Sequence, residues 1–256
     1  MTDQPAKPQP NDVWATLRQH TAARIGLQRS GASLSTAPLL DIQLAHARAR
    51  DAVHAPLDED ALAADLAPPG LPVLRIASAV GDKQTYLMRP DLGRRLAPSA
   101  AAVLAQQAGD YDVVFIISDG LSARAVQAHA APVLAAVLAD LRAQQWRVAP
   151  LIIVRHGRVA IGDTVAATLR AACAVVLIGE RPGLSAPDSM GAYLTWQPGA
   201  GTTDADRNCI SNIRPAGIGY ADASFKLTHI LRAIRARKLS GVQIKDDSDG
   251  LLIGRE

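Results

Sequence analysis

Four polar, mostly glycine-bearing segments carry the residue types in this sequence that could do chemistry. Ser118-Asp119-Gly120 follows the apolar run DVVFIIS, RHGRV (155–159) follows LIIV, and ERPGL (180–184) follows AVVLIG. A fourth segment, DADRNCISN (204–212), holds Cys209 between Arg207 and Ser211. Together they offer carboxylates, guanidinium groups, a thiol and exposed turn backbone, a set suited to holding a polar ligand by many hydrogen bonds. Each segment alone is adequately explained as a solvated turn. The shared placement of the first three beyond the carboxyl ends of strands marks them, because open α/β sheets bind ligands there, and the fourth is a candidate to join the same rim. Arg207 is close enough in sequence to favour a Cys209 thiolate, whereas Cys173, just ahead of an apolar run, reads as a small buried hydrophobe.

Several chemistries are disfavoured. No GxxxxGK[ST] loop occurs, and GIGYAD (217–222) follows no predicted strand, which argues against a nicotinamide enzyme. The six histidines are scattered without HExxH or paired cysteines, so no metal is expected. Asp204, Asp206 and Cys209 read as a hydrogen-bonded loop instead of a hard-metal site. There is no GxSxG elbow, and Ser118 and Ser122 are accounted for by a turn and a helix cap. Arg232, Arg235, Arg237 and Lys238 close a helix whose dipole favours cations at that end, which outweighs a nucleic-acid reading. A formal charge of +3 and 4% aromatic residues give no basic pole or stacking platform for nucleic acid.

The elements that must position these segments follow from hydrophobic period. With 48% hydrophobic and 20% charged residues, the 256-residue chain can bury a core. Residues 1–11, with three prolines, read as a flexible lead. A helical segment spans 12–70: a first helix from 12 to about 27, a break at QRSGASLST, a second helix from Thr36 through Val53, and a third from Asp60 to Leu66, stopped by Pro68-Pro69-Gly70. From 71 to 256 short apolar runs (73–80, 112–118, 148–154, 174–179) alternate with helical windows, the longest at 121–145, where Pro132 starts a second helix or kinks the first. Strands apolar on both faces predict an α/β fold, a Rossmann-like parallel sheet covered by helices. A last helix shows Leu227, Ile230, Leu231 and Ile234 on one face, with Gly241 as its stop. Two cysteines and no long apolar run fit a protein of the reducing cytoplasm without a membrane role.

The segments TYLMRPDLGRRL (85–96), IISDGLS (116–122), VRHGRV (154–159), GERPGL (179–184) and DRNCISNI (206–213), with LRQHTAARIGL and LLDIQLAHARARDAV before them, resemble the small subunit of ethanolamine ammonia-lyase. The resemblance covers nearly everything after residue 12. It implies an adenosylcobalamin-dependent lyase converting ethanolamine to acetaldehyde and ammonia by a radical mechanism, active only in a hetero-oligomer whose large subunit holds the substrate. Motif by motif, it implies cobalamin contacts at Val159, Glu180 and Cys209, with no catalytic residue on this chain. No histidine has Asp two residues before it, so the DxHxxG pattern is absent and the cofactor is expected base-on. The short lead argues against encapsulation in a bacterial microcompartment, and LQRSGASLST departs from the family's LGRxGxxxPT pattern. The rival reading of the same residues is a stand-alone transferase or hydrolase for a phosphorylated metabolite, with Arg155, Arg158 and Arg181 clamping the anion. A third is a non-catalytic scaffold subunit.

Overall fold

The computed structural model describes residues 13–248. The lead at 1–11 and the Asp12 cap therefore lie outside the described residues. In chain order the elements are α1 (Val13–Arg18), a small hairpin of β1 (Arg29–Ser30) and β2 (Ser33–Leu34), α2 (Thr36–His54), α3 (Glu59–Leu66), β3 (Val73–Ala77), α4 (Lys83–Met88), α5 (Pro98–Ala105) and β4 (Tyr111–Ser118). There follow α6 (Ala123–Ala143), β5 (Leu151–Arg155), α7 (Ile161–Leu169), β6 (Ala171–Gly179), β7 (Met190–Trp196), β8 (Arg207–Ile213) and α8 (Tyr220–Arg237).

The main sheet has six strands in the order β3-β5-β4-β6-β7-β8. The first four are parallel, as expected, but β6–β7 and β7–β8 pair antiparallel, so the sheet is mixed where a wholly parallel one was expected. MGAYLTW, unassigned in the sequence, is β7, and most of the expected DADRNCISN loop is strand β8.

Alternation along β4 shows why its run is apolar throughout. Val113, Phe115 and Ile117 enter a core with Leu62 and Leu66 of α3, the apolar face of α6, and Leu227, Ile230, Leu231 and Ile234 of α8. Val114 and Ile116 enter a second core with Ala100 and Leu104 of α5 and Ile161, Val165 and Leu169 of α7. Period-two side chains thus feed two helical layers. On the α5/α7 side, β3, β5, β4 and β6 are covered by helix. At β7 and β8 the chain instead leaves Tyr193 half-buried and Cys209 exposed on that side, while Ala192, Leu194 and Ile210 point into the first core.

Three local expectations are revised. The first helix stops at Arg18, and Val13, Trp14 and Leu17 stand exposed where a longer amphipathic helix would have buried them. Pro132 sits inside one continuous helix, α6. The closing helix ends at Lys238, which adopts the left-handed conformation (φ 54°) and caps it by donating from its N–H to Ile234 O; Gly241 lies beyond. Arg170 ends α7 in the same way, which lets β6 begin at Ala171, ahead of the expected start.

Candidate functional site

In-register parallel pairing sets Ile76, Val154, Ser118 and Ile178 at one level, so the turns after β4, β5 and β6 share a rim. Two glycines make that rim tight. Gly120 has φ +54°, and an added Cβ there would strike the Gly179 carbonyl, while one at Gly179 would overlap the Ser122 carbonyl. Leu121 N–H donates to Gly179 O at 3.0 Å, joining the two turns backbone to backbone.

The turn after β5 is held by a buried carboxylate. Asp119 is 2% exposed; its Oδ1 accepts from the His156 N–H at 2.8 Å, and its Oδ2 lies 3.0 Å from His156 Nδ1 and 4.0 Å from Lys83 Nζ. His156 adopts φ +58°, a conformation costing a non-glycine residue about 1–3 kcal/mol, and these contacts offset it. Lys83 donates to Gly120 O at 2.9 Å. Desolvation lowers its pKa, against the pull of Asp119.

That turn directs Arg158 and Val159 into a cavity of about 440 Å³ whose lining includes Tyr86, Leu121, Glu180, Arg181 and Tyr193. Val159 and Glu180 therefore share one space. Glu180 Oε1 and Oε2 accept from the Asn212 N–H at 3.3 and 3.2 Å. Gly191 makes room for the carboxylate: an ideal Cβ there would lie 3.0 Å from Glu180 Oε1 and 3.3 Å from the Tyr193 ring.

Cys209 joins through Tyr193. The two are directly opposed across β7 and β8, which puts both side chains on one face. Desolvation raises the pKa of the Tyr193 phenol, and the Cys209 thiol that faces it adds to the shift, so the hydroxyl remains protonated at neutral pH. Cys209 thus belongs to the middle of an edge strand, and the expected picture of turns alone is corrected. The structure brings Val159, Glu180 and Cys209 to one side of the sheet, linked by Tyr193.

Arg207 does not activate the thiol. It forms a bidentate pair with Asp163 on α7, both contacts 2.7 Å, and desolvation pushes the Cys209 pKa above its ordinary value. Asp206 closes the expected hydrogen-bonded loop by accepting from Thr203 N–H and Oγ1, each at 2.7 Å, and no metal-ligand cluster occurs among the described residues. The postulated arginine clamp is split. Arg155 faces Glu59 at 3.6 Å in a separate cavity, while Arg158 and Arg181 line the one with Val159. In the closing helix Arg235 stacks 4.5 Å over Trp146 and Arg232 donates to Gln144, so these cations pack on the protein itself.

Sequence reasoning missed Tyr193 because β7 went unassigned. Tyr86 lay within a quoted segment without a role; it is fully buried, its ring lies 3.9 Å beneath the Arg158 guanidinium, and its carbonyl accepts from Arg158 Nη2 at 2.9 Å. Arg158 Nε is buried with no acceptor, a deficit of about 1–3 kcal/mol if nothing answers it.

A family model for the ethanolamine ammonia-lyase light chain (EutC) matches residues 11–245. The chain belongs to this family. It is 50% identical over 246 residues to an ethanolamine ammonia-lyase small subunit of Azotobacter vinelandii, covering 94% of this chain and 91% of the relative. A Xanthomonas campestris pv. campestris small subunit is 51% identical over 251 residues (96% and 92% covered), and a Ralstonia nicotianae one 50% identical over 240 (92% and 89%). Membership in the light-chain family makes this protein a subunit of a lyase and disposes of the stand-alone transferase reading. No helix among the described residues is long and apolar enough to cross a membrane.

Proposed function

We propose that this chain is the small subunit of an adenosylcobalamin-dependent ethanolamine ammonia-lyase of the cytoplasm. In this reading it forms part of the cofactor pocket, and a large subunit holds ethanolamine. Residues 71–256 form the cofactor-binding part and residues 12–70 a helical arm. One observation carries the reading: Val159, Glu180 and Tyr193 line one cavity, and Cys209 is paired with Tyr193 across β7 and β8.

The donor set suits a corrinoid. The ring's peripheral amides both donate and accept, and the face offers a carboxylate, a phenol, a thiol, guanidinium groups and apolar Val159, Leu121 and Ile178. The orphaned Arg158 Nε is a donor awaiting an acceptor. Glu180 would take amide N–H groups, and Tyr193 with Val159 would pack against the macrocycle and exclude water. When bound base-on, the cofactor supplies the radical chemistry of the deamination. This chain's residues bind and orient it, and none acts as acid or base.

Dependence on a large subunit has its own support. Val13, Trp14, Leu17, Leu39, Leu40 and Leu44 are each 42% or more exposed, an apolar surface on α1 and α2 of the kind that marks protein interfaces. The pocket face is also uncovered at Tyr193 and Cys209. The isolated chain should be inactive and poorly soluble. Co-expression with the large subunit should yield a soluble complex that takes up cobalamin in an absorbance titration. In that complex Glu180→Ala should weaken cobalamin binding with assembly intact; unchanged affinity would favour the scaffold reading.

A further inference from the structure

Next to the cavity described above lies a second one of about 430 Å³, and the two meet along Arg158 and Val159. Its wall carries Arg94, Arg158, Thr203, Asp204 and Arg207. The charges there are unequally matched. Arg207 has two carboxylates, Asp163 at 2.7 Å and Asp204 at 3.5 Å, and Asp204 has no second cation among the described residues. Arg94 and Arg158 have no carboxylate within ion-pair distance among the described residues. Arg94 is exposed and makes no side-chain hydrogen bond there.

The two arginines belong to segments that touch. The Arg158 N–H donates to Gly93 O at 2.8 Å, and a Cβ on Gly93 would lie 2.8 Å from Arg158 Cγ. Arg158 is also preorganised. The Tyr86 ring and carbonyl fix its plane, leaving the buried Nε without a partner. Two guanidinium groups without a carboxylate partner among the described residues line this one cavity, one of them locked in place, and their charge suits an oxyanion better than a neutral amide.

We propose that the Arg94–Arg158 corner binds a phosphate ester. This rests on the corrinoid reading of the adjoining cavity, where the matching group is the phosphodiester of the nucleotide tail, since cobalamin's other peripheral groups are neutral amides. A free phosphorylated metabolite is the other source of the same chemistry.

The test uses the complex with the large subunit and two corrinoids, cyanocobalamin and dicyanocobinamide, the second lacking phosphodiester, ribose and base. Arg94→Ala removes a side chain that holds nothing else in place. It should weaken cyanocobalamin binding roughly tenfold, the size of one charge-assisted hydrogen bond, and leave dicyanocobinamide binding unchanged. Arg158→Gln should weaken cyanocobalamin more than Arg94→Ala does and, because Arg158 also lines the ring's cavity, should weaken dicyanocobinamide to a lesser degree; added salt should weaken cyanocobalamin less in both variants than in the parent complex. Equal losses for both corrinoids, or no loss for either, would overturn the proposal. So would Arg94-dependent thermal stabilisation by ethanolamine phosphate without discrimination between the corrinoids, which would assign the corner to a free metabolite. A parent complex that binds neither corrinoid refutes the corrinoid reading and this proposal with it. Corrinoid binding by the parent without selectivity in the variants refutes this proposal alone.

Discussion

His156 turns both its backbone N–H and its ring Nδ1 onto the two oxygens of Asp119, at 2.8 and 3.0 Å. One buried carboxylate from the end of β4 thereby fixes a left-handed residue at the end of β5, and Arg158 and Val159, just past Gly157, line the candidate pocket.

Replacing that carboxylate should loosen the turn before it unfolds the domain. Asp119→Ala is expected to cost about 2–3 kcal/mol, because it leaves buried donors without a charged acceptor; Asp119→Asn should cost less. Amide exchange at His156 and Gly157 should accelerate more than exchange in β4. Uniform protection across turn and strand would contradict the assigned role.

Gly191 is expected to be a pocket determinant although it contacts ligand through no side chain. Gly191→Ala would set a methyl group 3.0 Å from Glu180 Oε1 and 3.3 Å from the Tyr193 ring, so the carboxylate must give way by a few tenths of an ångström. Overpacking of this kind costs about 1–3 kcal/mol. In the complex, corrinoid affinity should fall more than melting temperature does, as read by titration and calorimetry.

The Arg207–Asp163 pair ties the start of β8 to the first turn of α7. Breaking a buried pair from one side strands the other charge, so Asp163→Ala should destabilise by about 3–5 kcal/mol. The double variant Asp163→Ala with Arg207→Met should recover much of that loss. Strictly additive costs in urea unfolding would show that the two side chains are not energetically coupled.

Cys209 should be a slow thiol. Desolvation raises its pKa above the ordinary value near 9.0, the facing Tyr193 hydroxyl offsets part of this, and the charge of Glu180 adds to it. A raised thiol pKa means less thiolate at neutral pH, so alkylation by iodoacetamide should lag free cysteine at pH 7 and climb only as pH passes 9. Cys173, buried and pushed up to about 12, should stay unmodified in the native chain. Rapid stoichiometric labelling of Cys209 at pH 7, followed by mass spectrometry, would be inconsistent with this environment.

The legible parts of the fold were those where one force dominates. Runs such as DVVFIIS are apolar on both faces because helices cover both faces, and their shortness and β-branched content set them apart from buried helix. β8 was hidden for the opposite reason. Its outer residues are polar, it sits at the sheet edge, and a register irregularity near Met190 and Ala192 disturbs its pairing with β7. RNCISNI therefore looks like loop. The first helix misled because its apolar residues stay largely exposed, so its pattern reports a surface requirement and not burial in the core. At the site, the rim turns were visible from their order after strands. Tyr193 and Gly191 were not, because their importance arises only from pairing between segments distant in sequence.

That pairing bears on how the pocket can be transplanted. Glu180 stands at the end of β6, Gly191 and Tyr193 on β7, Cys209 and Asn212 on β8, and Asp163 anchors the last of these from α7. A chimera whose seam falls anywhere between residues 163 and 213 would mix contacting surfaces from two parents. Grafts between homologous chains should succeed when this whole block moves as a cassette, and fail when its strands are exchanged singly.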